Sequence, residues 1–167
     1  MEQQPRIKVP LTATDKVVEF VGLLLFVFLW SFAAWAYTRL PDSIPTHFDG
    51  AGKPNDWSGK ASIFLLPAVG TFLASVMTGL TRVPHLYNYP TQVTAENAEK
   101  LYQLGTGMIR FLKTGLLALF TAITLATYTT ASGSTDGLGV LFMPVALGLL
   151  FIPLGYYTVK MVKIRKQ

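Results

Sequence analysis

The sequence predicts an all-α polytopic membrane protein, a bundle of four spanning helices with a short cytoplasmic amphipathic helix, and three observations predict the bundle. Four apolar runs recur, each about the 20 residues a helix needs to cross ~30 Å of hydrocarbon. Only 14% of the residues are charged and 51% are hydrophobic, where a soluble domain carries roughly 25% charge. Most Lys and Arg residues flank the apolar runs, the distribution expected of membrane proteins.

The first run, 17–38, reads VVEFVGLLLFVFLWSFAAWAYT. Its basic leader and Ala34-Trp35-Ala36 imitate a cleavable signal peptide, but the apolar stretch exceeds the roughly 7–15 residues of a signal core. A retained helix is expected. The second run, 61–80, carries Thr71, Ser75 and Thr78 on one face, and the third, 108–130, carries Thr114, Thr121 and Thr124. In the fourth, 138–159, Pro144, Gly148 and Gly155 fall close to one face. Small and hydroxyl residues let membrane helices approach closely and hydrogen-bond, so these faces are expected at helix interfaces. Pro67, Pro144 and Pro153 are expected kinks. The whole chain, 1–167, reads as one integral membrane domain.

Orientation follows from positive charge. Arg6, Lys8 and Lys16 precede the first run; Arg82, Lys100, Arg110 and Lys113 lie around the second and third; Lys160, Lys163, Arg165 and Lys166 close the chain. Only Arg39, Lys53 and Lys60 fall on the other side. Both termini are therefore expected in the cytoplasm. The net charge of +5 points to anionic lipid headgroups and not to nucleic acid. Cysteine is absent, which excludes disulfides, thiolate nucleophiles and cysteine metal sites.

The cytoplasmic loop, 81–107, begins irregularly through Pro84, Asn88, Tyr89 and Pro90. A Thr94 N-cap followed by Glu96 and Asn97 then predicts a short interfacial helix from about Ala95, with Glu96 in its first turn. Tyr87, Tyr89 and Tyr102 suit the headgroup zone. Arg110 and Lys113, one turn apart, are expected to snorkel to the cytoplasmic headgroups; the sharper alternative is an inward-facing cationic site.

The outward loop, 39–60, contains LPDSIPTHFDGAGKPNDWSGK. Pro41, Pro45 and Pro54 fix backbone dihedrals and Asp49-Gly50 and Ala51-Gly52 supply turns, so a tight hairpin is expected. Trp57 suits the interfacial aromatic belt. Lys60 opens the second helix, where the dipole disfavours a cation, and Asp56, four residues earlier, or a lipid phosphate is its expected partner. The chemical candidates are His47, Asp42, Asp49 and Asp56. A lone histidine makes a weak metal signal, so neither metal nor cofactor is expected. No nucleophilic serine motif or phosphate-binding glycine loop is present, and no catalytic residue is assigned.

The run Leu40-Pro41 … Ile44-Pro45-Thr46-His47-Phe48 … Gly52-Lys53-Pro54 … Trp57 … Lys60 resembles the SdpI-related family of small bacterial membrane proteins, which share a domain of unknown function. Asn88-Tyr89-Pro90 … Thr94-Ala95-Glu96-Asn97-Ala98-Glu99 … Tyr102 … Leu104, running to Leu112-Lys113, is similar to stand-alone members. The resemblance spans about 15–130 and implies that His47, Gly52, Trp57 and Lys60 occupy signature positions of an outward loop. The family's biochemical role is mostly unassigned. Immunity to a peptide toxin is the role of a member that continues into a second domain with a W-G-x-R-T-P-type motif. This sequence shows no such motif, so the immunity role is not expected to carry over with the resemblance. The expectation is a non-enzymatic protein of the bacterial cytoplasmic membrane. Its outward loop, through His47, Asp49, Gly52, Asp56, Trp57 and Lys60, recognises a ligand or peptide toxin or supports a complex with a membrane protein. Membrane lipids and a second copy of the chain are further expected partners. The alternatives are a small enzyme acting on lipid or envelope substrates through His47 and nearby carboxylates, and a transporter subunit with Arg110 and Lys113 facing a path.

Overall fold

The computed structural model describes residues 4–164; Arg165 and Lys166, counted above for orientation, lie outside the described residues. Four helices are long and apolar enough to cross a membrane. They are α1 (Ala13–Tyr37), α2 (Leu65–Leu80, led by a 3-10 segment, Lys60–Phe64), α3 (Ala98–Ala131) and α4 (Phe142–Ile164). Between α1 and α2 lies an antiparallel hairpin of β1 (Ser43–Phe48) and β2 (Pro54–Gly59). The hairpin and α3–α4 loop form one end of the bundle; the start of α1 and the end of α4, which lead to the termini, form the other.

α1 begins where Thr12 and Asp15 close a capping box: Asp15 N–H donates to Thr12 Oγ1 at 3.1 Å, and Thr12 N–H donates to Asp15 Oδ2 at 2.9 Å. α3 is the hub. It packs on α1, α2 and α4, whereas α1 touches α2 only lightly. Lipid is as apolar as leucine, so close approach and not hydrophobic burial joins membrane helices. The glycines show where approach is closest. A Cβ on Gly22 of α1 would stand 2.9 Å from Thr114 Oγ1, and one on Gly70 of α2 would stand 3.2 Å from Phe120. On α3, Gly107 faces Tyr157 and Gly115 faces Leu149 of α4.

This reverses one expectation for α4. Its Gly155 meets nothing within 4 Å and Gly148 meets only Ile152 of its own helix. Large side chains of α4 therefore enter gaps left by small residues of α3. The prolines also divide. Pro153 is inside α4, but Pro67 and Pro144 are the third residues of their helices, where a missing N–H breaks no internal bond.

At about 1.5 Å per residue, the 34 residues of α3 outreach a hydrocarbon layer of ~30 Å. Its first turns project beyond α1 and α2 and run alongside the last turns of α4. The short helix expected near Ala95 is this projection, continuous with the span: Gly105 and Gly107 do not interrupt it, because they seat Tyr89 and Tyr157. It is amphipathic as expected, but its apolar face packs on the protein. Ala98, Leu101 and Tyr102 are fully buried and pack with Met161, Val9, Val93 and Tyr89. Thr94 and Asn97 hold its entry reciprocally, Thr94 N–H donating to Asn97 Oδ1 at 2.8 Å and Asn97 N–H to Thr94 Oγ1 at 3.4 Å. Glu99, not Glu96, is the acid of the first helical turn.

Candidate functional site

The hairpin is built by its prolines and closed by Asp49. The Asp49 carboxylate accepts from the N–H groups of Ala51 and Lys53, both at 2.9 Å, so its side chain shapes the turn. Gly52 then sits at φ +79°, with Gly139 backbone atoms 2.7 Å from where a Cβ would stand, and its carbonyl accepts from Leu138 N–H at 2.8 Å. Only glycine meets both demands. The turn is thereby joined to the α3–α4 loop.

His47 stands opposite Asp56 in the ladder, at an irregularity of register. The two side chains nevertheless take different partners. His47 Nδ1 bonds Asn55 Oδ1, and Asp56 Oδ1 accepts from Trp57 N–H at 2.9 Å. In the neutral ring, a proton on Nδ1 would donate to Asn55 and leave Nε2 an acceptor. Trp57 is 49% exposed. Lys60 pairs with Asp42 at 3.0 Å, not with Asp56, because the hairpin returns the start of β1 beside the end of β2; Lys60 N–H also donates to the Asp42 carbonyl at 3.0 Å.

Beneath β1 lies a cavity of about 270 Å³. Leu65 and Leu66 of α2, Phe142 and Met143 of α4, and Ile123, Thr124 and Thr127 of α3 line it, with His47 and Phe48 at the hairpin side. Thr124 Oγ1 donates to the Phe120 carbonyl at 2.7 Å, so its own proton is satisfied inside the helix. The cavity is a mainly apolar space with a few polar side chains in its lining.

A second polar cluster lies toward the termini end. Arg110 and Lys113 do not snorkel; both point inward, with side chains 9% and 7% exposed. Arg110 meets Asp15 Oδ1 at 3.3 Å and Lys113 donates to Glu19 Oε2 at 2.7 Å and to Thr78 Oγ1 at 3.1 Å. Arg110 Nε is 3.4 Å from Glu19 Oε1, an ion pair without hydrogen-bond geometry. Three helices thus meet in one network. Asp15 and Glu19 are the residues sequence reading passed over. Their spacing of one turn, facing a basic pair one turn apart, was the available signal, since ionisable residues in a span normally pair with one another.

Of the remaining motif residues, Tyr89 stacks between Tyr87 and Tyr102 at 5.7 and 5.6 Å. The three rings form a packed ladder and not a headgroup belt. Tyr87 donates to the Leu80 carbonyl at 2.9 Å, Tyr89 to Pro84 at 3.1 Å and Tyr102 to Pro5 at 2.8 Å. Burial pushes the Tyr87 hydroxyl up to about 12, partly opposed by Arg110; burial, then Tyr87 and Tyr102, push Tyr89 up as well. Asn88, Pro90 and Glu96 are exposed.

Comparison with known proteins bears on the hairpin segment above all. Residues 24–71, from within α1 through the hairpin into α2, match a domain of unknown function, DUF1648. An uncharacterised protein of Archaeoglobus fulgidus is 29% identical over 89 residues, 48% of this chain and 49% of that protein. The chain therefore spans about half the length of that curated relative. No solved structure matches. The segment that carries the hairpin is similar to a domain family to which no function is attached.

Proposed function

We propose that the chain is a non-enzymatic protein of the bacterial cytoplasmic membrane, with both termini inside. In this reading the hairpin-capped cavity recognises an amphipathic ligand arriving from outside, of the membrane-active peptide kind. The observation that carries the reading is the cavity itself. It lies between the ends of α2 and α4, which pack on α3 and not closely on each other, so a ligand can reach it along the outer leaflet. At about 270 Å³ it falls near the lower bound of small-ligand pockets, roughly 300 Å³. It suits one apolar anchor of a larger molecule better than a whole metabolite. His47 and the exposed Trp57 lie on the hairpin that such a molecule would meet first. The SdpI-like resemblance of the same loop supports a peptide as that molecule. The transporter reading loses its motive, because Arg110 and Lys113 are engaged by Asp15 and Glu19.

A photo-crosslinking residue placed at Met143 in living cells tests this. The expected result is a peptide-sized adduct that Ser62→Trp, which fills the cavity from a half-buried position in its lining, removes without lowering the melting temperature. An adduct of phospholipid mass alone, or none, overturns the peptide reading.

A further inference from the structure

We infer a binding site for the phosphate headgroup of an anionic membrane lipid at the termini end, in the groove between the first turns of α3 and the last turns of α4. The contacts of Gly107 with Tyr157 and of Gly115 with Leu149 set these helices antiparallel. That register brings Lys100, Gln103 and Leu104 level with Lys160, Lys163 and Ile164, and these six residues line a cavity of about 440 Å³. Three lysines and one glutamine line it, and among the described residues no acidic residue does.

Among the described residues most cations lack a carboxylate partner, Lys8, Lys16, Lys53 and Arg82 included; the lysines of this groove are set apart because they line one cavity. Lys60, Arg110 and Lys113 each have a carboxylate partner. Among the described residues, Lys100, Lys160 and Lys163 have none within ion-pair distance; Lys160 Nζ rests 4.5 Å over the Tyr156 ring instead. Lys100 is in the first turn of α3, where the helix dipole opposes a cation. Lys160 and Lys163 are like charges one turn apart, an unfavourable spacing. A phosphate in the groove reverses both penalties, because an ammonium offers three donors and no acceptor and the dipole at a helix N-terminus favours an anion.

Leu104 and Ile164 decide between a lipid and a free phosphate. They give the groove an apolar wall that inorganic phosphate would not use and that an acyl chain can meet. Basic pockets between helices at this depth are the ordinary receptors of lipid phosphates.

The full chain in detergent, titrated with phosphatidylglycerol or phosphatidylcholine and followed by native mass spectrometry, tests the site. Phosphatidylglycerol should bind in preference to phosphatidylcholine. Each lysine near such a phosphate contributes about fivefold, so the triple Lys100→Gln, Lys160→Gln, Lys163→Gln variant should lose roughly a hundredfold in phosphatidylglycerol affinity. The triple arginine variant should retain it. If the triple glutamine variant has no melting transition, the single variants carry the same test at about fivefold each. Equal affinity for the two lipids, or unchanged affinity in the folded variants, overturns the proposal. Pyrophosphate that displaces the lipid at equimolar concentration also overturns it, in favour of a soluble phosphate.

Discussion

Lys113 donates to Glu19 at 2.7 Å from a side chain that is 7% exposed, on a helix that otherwise meets hydrocarbon or its neighbours. Moving a charge into such a place costs several kcal/mol unless a partner and further hydrogen bonds accompany it. Here Glu19 and Thr78 accompany it, and Arg110 is accompanied by Asp15 in the same way. The network is therefore unforgiving of single changes and tolerant of paired ones. Lys113→Leu leaves two carboxylates facing one arginine, and should destabilise the protein by about 3 kcal/mol, the low end for a broken buried pair, because Glu19 is one-third exposed. Glu19→Leu combined with Lys113→Leu should recover most of that loss. Thermal unfolding of the four members of this cycle in nanodiscs measures the coupling. If the double variant is as unstable as the sum of the singles, the two residues are not partners.

The same logic moves from charges to elements at the entry of α3. Thr94 and Asn97 hydrogen-bond each other's backbone N–H groups ahead of a helix whose first turns project past α1 and α2 beside the end of α4. Thr94→Ala removes one of those bonds and should cost ~1 kcal/mol, a typical capping loss. Hydrogen exchange at residues 98–104 should accelerate, and unchanged exchange there would mean that packing on Met161 and Tyr89 alone holds the turn. The start of α3 was legible only in part: Thr94 was the expected N-cap of a helix from about Ala95, but the helix begins at Ala98 with Asn97 at the N-cap position, and Thr94 holds the turn before it. The four spans were legible for a general reason: hydrocarbon thickness fixes their length, and no soluble fold produces four such runs with so little charge between them. The helix interfaces were less so. A glycine on α3 and a tyrosine on α4 are complementary only once the two helices are in register, and periodicity alone left Gly148 and Gly155 as equal candidates. Lys60 shows the same limit, since Asp42 is its partner only after the hairpin has folded back, and sequence distance favoured Asp56.

For the molecule as a whole, the division between two ends matters more than any single contact. At one end an exposed hairpin is stitched to the α3–α4 loop at Gly52 and covers an apolar cavity; at the other, an arm before α1, a tyrosine ladder and the ends of α3 and α4 pack together. The proposed outward recognition and the proposed lipid site both place the first end outside and the second inside, because Lys and Arg gather on the second. Single cysteines test this cleanly, as the chain has none of its own. Ser43 and Ser58 are exposed on the hairpin, and Gln92 is exposed in the segment before α3. In whole cells, Ser43→Cys and Ser58→Cys should react with a membrane-impermeant maleimide, and Gln92→Cys should react only after the membrane is opened. The comparison is internal, because all three positions are accessible in the folded chain and differ only in the side they face. Labelling at Gln92→Cys alone would invert the protein in the membrane. The hairpin cavity would then open to the cytoplasm, and recognition of a ligand from outside would fall with it, while binding of lipid phosphate by Lys100, Lys160 and Lys163 would survive at the opposite leaflet.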